Sequence, residues 1–151
     1  MKKLIGIIAI VGLVIFLTAC SGDEEATRTF ELEHDGIMTT MVYKFKEDKV
    51  IMQTTKNIIQ YDLVGFASKD EAKEIFAPMI EQFQNIDGLT HKLEYDDSKA
   101  VETLAVDYEV VNFDEIVNLP GMTFSEDPKD KGISMKKSVE ILESQGFVEV
   151  K

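Results

Sequence analysis

The sequence has a single cysteine, a single arginine, three prolines, two histidines and no tryptophan in 151 residues. One cysteine excludes an internal disulfide, a C-x-x-C redox pair and the cysteine-rich zinc sites. Two histidines far apart in the chain exclude an H-E-x-x-H metalloprotease helix. Basic residues are scarce as well, 16 against 28 acids, for a net charge of −12. A chain so acidic lacks the basic footprint that nucleic acid requires, and it has no electrostatic reason to lie flat on anionic lipid. Glycine-rich phosphate loops, G-x-S-x-G elbows and dinucleotide fingerprints are absent. Only one long apolar run exists, Leu4 to Leu17. Its 14 residues fall short of the roughly 20 needed to span a bilayer as a helix.

That run carries the clearest message in the chain. Lys2 and Lys3 precede it, and Leu17-Thr18-Ala19-Cys20 follows directly. A positive start, a short apolar core and small residues at a cut site make a secretory signal. A plain signal needs no cysteine. Here the only cysteine stands just after Ala19, where the motif resembles the lipobox of bacterial lipoprotein precursors. The expectation is cleavage between Ala19 and Cys20, an S-diacylglycerol thioether on Cys20, and N-acylation as a further modification left open. Each buried methylene contributes about 0.8 kcal/mol, and one acyl chain alone binds only marginally, so the two chains of a diacylglycerol are what give a lasting anchor. The predicted location is the extracytoplasmic face of a bacterial membrane, held by lipid and not by a transmembrane helix. Removing Lys2 and Lys3 leaves 14 bases against 28 acids, so the mature chain carries −14. The expected organisation is a signal peptide over 1–19, a lipidated cysteine and flexible tether over 20–27, and one domain over 28–151.

Within the domain, alternation predicts a strand from Arg28 to His34, with Phe30, Leu32 and His34 on one face. Asp35-Gly36 reads as a two-residue hairpin turn, since Gly tolerates positive φ. The next strand, Ile37 to Lys46, puts Ile37, Thr39, Met41, Tyr43 and Phe45 together. The turn then sets Phe30 opposite Met41 and Leu32 opposite Thr39. A third strand, Lys49 to Gln60, is read with Val50, Met52, Thr54 and Ile58 on a common face and a bulge near Ile58-Ile59. Ser68 and Glu71 form a capping box for a helix with the stripe Ala72, Ile75, Phe76, Met79, Ile80 and Phe83, kinked at Pro78. A second hairpin follows, Leu89 to Asp96 and Ala100 to Val111. One helical turn is expected over 114–119 and a charged loop over 126–132. Ser134 caps a last helix that turns Met135, Val139 and Leu142 inward, with Gly146 at C′ and Phe147 folded back on Leu142. Val148 and Val150 suggest a terminal strand. Strands, helix, strands, helix is the order of an α+β fold: an antiparallel sheet of about five to six strands with two main helices packed on one face.

With the lipobox, Val106-Asp107-Tyr108 and Gln145-Gly146-Phe147, the chain resembles the YehR family of small bacterial lipoproteins, over roughly 27–150. The resemblance implies an envelope lipoprotein of α+β type with no established activity, and it brings no catalytic or ligand residues to carry over.

Candidate chemistry in the domain is thin. His34 flanks a turn and His91 lies on an apolar strand face, so both read as structural. His34, His91 and Glu94 could meet a metal only through the fold. Asp127, Asp130 and Gly132 imitate a calcium loop without its spacing. The aromatic and methionine positions Tyr43, Phe45, Met52, Tyr95 and Tyr108 read as core, or as the wall of a ligand pocket. No catalytic residue, metal ligand or cofactor is expected. The leading expectation is a non-enzymatic interaction or structural module of the envelope, with an unknown protein partner. The alternative is a small-ligand-binding lipoprotein.

Overall fold

A computed structural model of the chain describes residues 24–124 and 128–150. The signal segment 1–19 with Ala19 at its end, Cys20 and the tether residues up to 23, and Asp127 lie outside the described residues.

Two strands open the domain, β1 (Glu25–His34) and β2 (Ile37–Lys46). Asp35 and Gly36 both have positive φ, 49° and 80°, as a type I′ turn demands. Phe30 faces Met41 and Leu32 faces Thr39, the register that the turn and the alternation predict. β1 begins earlier than expected and takes in Glu25 to Thr27, read above as tether. These residues pair with Lys44 to Lys46, because the ten-residue β2 offers backbone for them and Lys44 ion-pairs with Glu25.

The third strand, β3 (Lys49–Gln60), departs from the predicted phase. Phe45 pairs with Val50, but Lys44 pairs with Met52, so Ile51 is an extra residue in the ladder. Its carbonyl accepts from Tyr108 N at 2.9 Å. A one-residue insertion transfers every later side chain to the opposite face. Met52 and Thr54 therefore point away from the core, and Gln53, Thr55, Asn57 and Ile59 join Thr39, Met41 and Tyr43. The bulge lies near the start of β3, not at Ile58-Ile59.

Two helices follow, α1 (Tyr61–Val64) and α2 (Lys69–Gln82). The Ser68 cap forms as read, its Oγ accepting from Glu71 N at 3.2 Å, but the reciprocal half of the box is shifted: Glu71 Oε2 accepts from Ala67 N at 2.5 Å, one residue before the cap. α2 runs through Pro78. Ala72 and Phe83 are buried, whereas Ile75 is exposed and stands outside the stripe assigned to it. The second hairpin is β4 (Leu89–Tyr95) and β5 (Lys99–Asp107). β5 stops four residues early because the Asp107 carboxylate accepts from Glu109 N at 3.0 Å, folding the backbone into an Asx turn. Val110 is thereby exposed, and Val111 is buried instead.

The rest of the chain is α3 (Phe113–Ile116), α4 (Pro128–Lys131), β6 (Ile133–Ser134), α5 (Met135–Ser144) and β7 (Val148–Val150). Residues 128–131, expected as loop, make one helical turn. Ser134 caps α5, accepting from Lys137 N. At its other end Phe147 N donates to Leu142 O and Gly146 N to Glu143 O, with Gly146 at φ 93°, the Schellman pairing.

All strand pairs are antiparallel, in the order β4-β5-β3-β2-β1-β7, with β6 also on β3. That gives seven strands, against five or six expected. The largest fully buried side chains are Phe30, Ile116, Val50 and Val106. Each contributes about 1.5–3 kcal/mol by leaving water. A smaller cluster, Ile59, Tyr61, Ala72 and Ala100, seats α2 near the far end of β3.

Candidate functional site

Between these two clusters the covered face of the sheet is polar. Thr39 on β2, Asn57 on β3 and Glu102 on β5 stand side by side in the ladder. Thr39 Oγ1 donates to Asn57 Oδ1 at 2.7 Å, and Asn57 Nδ2 donates to Glu102 Oε2 at 2.6 Å. His91 Nε2 on β4 lies 2.8 Å from Glu102 Oε1, and its ring stacks on Phe83 of α2 with centroids 4.5 Å apart. The His91 side chain is 3% exposed and that of Glu102 13%. A second set runs beside the first: Tyr108 donates to Gln53 Oε1 at 2.8 Å, and Gln53 Nε2 donates to Thr55 Oγ1 at 3.2 Å. Buried polar groups are retained only where partners satisfy them, and here one four-strand network satisfies most.

Above this floor lies a cavity of about 340 Å³. Met79 of α2 and Phe83 at its C-cap line it, as do Ile141 and Leu142 of α5 and Met122 and Phe124 from the segment after α3. Tyr43 borders the cavity too, 5% exposed, edge-on to Phe30. Its hydroxyl hydrogen-bonds to no described residue. Burial pushes the Tyr43 phenol above its usual range. Burial, with a smaller contribution from Tyr43, does the same for Tyr108. Both therefore stay protonated donors at physiological pH. A larger depression beside Asp62, Ser68 and Asp97 has exposed charged walls and no such network.

The residues singled out from sequence separate. His34 sits at the hairpin tip, 75% exposed, with Asp35 as its partner at 2.9 Å. Glu94 is exposed and pairs with Lys92. Neither approaches the network, so the grouping His34, His91 and Glu94 does not form; the acid beside His91 is Glu102. Asp130 falls in α4 and Gly132 borders the cavity. Among the described residues no three His, Cys, Asp or Glu side chains are placed to hold a metal. Tyr43 and Tyr108 are both core and cavity wall, Phe45 packs on the core, Tyr95 belongs to the smaller cluster, and Met52 is 39% exposed on the other face. Sequence reasoning missed Gln53, Thr55, Asn57 and Glu102. One signal was present: Glu102 keeps phase with Leu104 and Val106, a carboxylate at a core-facing position.

An antiparallel sheet with helices over one face and a polar-floored cavity between them defines a cavity-bearing α+β domain. The chain belongs to the family described as protein of unknown function (DUF1307), whose model matches residues 26–148. It is 41% identical over 150 residues to the uncharacterized lipoprotein Lmo0207 of Listeria monocytogenes, covering 99% of this chain and 97% of that one. It is 32% identical, with the same coverage, to the uncharacterized lipoprotein YehR of Escherichia coli. The NMR structure of the E. coli YehR protein superposes with a TM-score of 0.75 at 31% identity, over 87% of this chain and 94% of that one. A Streptococcus pneumoniae protein solved by NMR shares the fold alone, at TM-score 0.59 and 12% identity, over 99% and 96%. Lipoprotein relatives imply membrane anchoring in the cell envelope.

Proposed function

We propose that this protein is a lipoprotein held on the extracytoplasmic face through Cys20, whose domain binds a small molecule in the cavity without transforming it. The observation that carries the reading is the partly enclosed space itself. At about 340 Å³ it falls within the size range of small-molecule sites, and it combines apolar walls with a few fixed polar groups. The reading is non-catalytic because the chemical groups nearby are already engaged. His91 directs Nε2 to Glu102, and Ser138, which borders the cavity, donates to Ser134 O at 2.8 Å.

Recruitment of a protein by strand addition has less to support it. One sheet edge is β7, only three residues long. The other is β4, where Lys92 and Glu94 are exposed, and short edges and edge charges discourage strand addition. The test is native mass spectrometry of the lipidated protein isolated gently from its own membranes. A single non-covalent small-molecule adduct is expected. Bare protein, with an unfolding midpoint that does not move when organic extract of the same cells is added back, counts against ligand binding.

A further inference from the structure

We infer that the ligand is a neutral amphiphile, with an uncharged hydrogen-bonding end on the sheet and an apolar body under the helices. The inference rests on the ligand-binding reading above and names the chemistry that the cavity selects.

Charge is the first discriminator. Among the described residues lining the cavity there is no Lys or Arg, and Glu102 is the one acid. An anion would enter with no counter-charge, next to a carboxylate. Both Glu102 oxygens already accept hydrogen bonds, from Asn57 and from the His91 side. A cation would have to compete with both partners and shed its own water. Burying an unpaired charge is far costlier than burying a hydroxyl or carbonyl that finds a partner.

Polarity across the cavity is the second. On the floor, Tyr43 has its hydroxyl proton to give. Thr55 accepts from Gln53 and keeps its own proton. Asn57 Nδ2 has a second hydrogen beyond the one given to Glu102. These three donors stand along the sheet floor, where the polar end of a ligand would meet one or more of them. Opposite them stand Met79, Met122 and Phe124. Methionines adapt to varied apolar shapes, which suits a chain or ring of loosely defined outline.

The experiment uses the lipidated protein in nanodiscs, labelled with ¹³C at the methionine methyls. Met41, Met79 and Met122 line the cavity; Met38 and Met52, exposed on the other sheet face, report non-specific uptake. The probes are 1-octanol, octanoate and octylammonium at matched free concentration. Octanol should move the cavity methyls and spare Met38 and Met52. The charged probes should bind at least about tenfold more weakly. Tyr43→Phe keeps the ring contact with Phe30 and should weaken octanol about fivefold, as should Thr55→Val. Octanoate or octylammonium binding as well as octanol overturns the neutral class and leaves the cavity a ligand site. Unchanged octanol affinity in both variants overturns the proposed orientation. Cavity methyls unmoved by all three probes overturn the ligand-binding reading itself.

Discussion

His91 and Glu102 meet at 2.8 Å on neighbouring strands, and both side chains are almost wholly shut away from solvent. The pair links β4 to the polar row of β5, β3 and β2, and the stack on Phe83 ties it to α2. Replacing Glu102 with Leu strands two donors, His91 Nε2 and Asn57 Nδ2. Each buried donor left without a partner costs about 1–3 kcal/mol, and the residual exposure of Glu102 puts the expected loss near the lower end. Replacing both, as His91→Phe with Glu102→Leu, should recover much of it, because no polar partner of the pair is left except Asn57. Urea unfolding of the three variants checks this. A Glu102→Leu midpoint equal to wild type would mean that the pair does not hold the sheet.

Much of the scaffold was legible in the residues. The Asp35-Gly36 turn, the opposition of Phe30 to Met41, the Ser68 and Ser134 caps and the Gly146-Phe147 helix ending all follow from local rules, and each forms as read. The cavity floor did not follow. Its composition depends on Ile51, whose insertion turns Gln53, Thr55 and Asn57 inward. In sequence, Val50, Met52 and Thr54 make as good an alternation as any, and nothing local marks the extra residue. The bulge is stabilised from outside β3 by Tyr108 N, more than fifty residues away, and that contact exists only once the sheet has formed. The end of β5 was hidden for a related reason. Tyr108 and Val110 continue the period, but the Asp107 carboxylate bond to Glu109 N and the bonds of Val110 N and Val111 N to the Asp107 carbonyl outweigh it.

Arg28 makes a two-pronged pair with Glu149, Nε to Oε1 and Nη2 to Oε2, both at 2.7 Å. It fastens β7 to β1, and the guanidinium also sits 5.3 Å from the Phe30 ring centroid. Both side chains are about a third exposed, so the pair is worth a surface value, roughly 0.5–1 kcal/mol. Lysine cannot reproduce the fork. Arg28→Lys should leave the global unfolding midpoint nearly unchanged while hydrogen exchange at the amides of β7 accelerates several-fold. Equal exchange in the two proteins would assign the docking of β7 to backbone pairing alone.

Asp48, in the turn between β2 and β3, grips the start of α5. Its carboxylate accepts from Lys136 N at 2.8 Å and Ser134 Oγ at 2.7 Å, and its carbonyl accepts from Met135 N. The backbone bond from Lys136 lowers its pKa most, followed by the Ser134 hydroxyl, with Lys136 and Lys137 charges adding less. A carboxylate with a depressed folded pKa stabilises above its unfolded value, and the contribution disappears as pH falls through the folded value. Wild type should therefore exceed Asp48→Asn in stability by a constant margin at neutral pH. The margin should shrink below the ordinary aspartate value near 3.8 and vanish below the depressed one. Because Asp48 is exposed, the margin should also narrow in high salt. Paired denaturation curves across that acid range check it; a margin that grows on acidification would reverse the assignment.

The anchor is testable independently of the cavity. If two acyl chains on the Cys20 glycerol hold an acidic domain at the bilayer, hydrocarbon supplies the attachment, and the net charge of the mature chain works against any contact with anionic headgroups. Cells fed alkyne-tagged palmitate should label the wild-type protein and leave Cys20→Ala unlabelled. The wild type should stay with membranes through a high-salt wash and leave only in detergent, since salt screens charge and does not weaken apolar burial. Wild-type protein that is unlabelled, or that washes off in salt, would remove the lipid and leave the apolar run as an ordinary secretion signal.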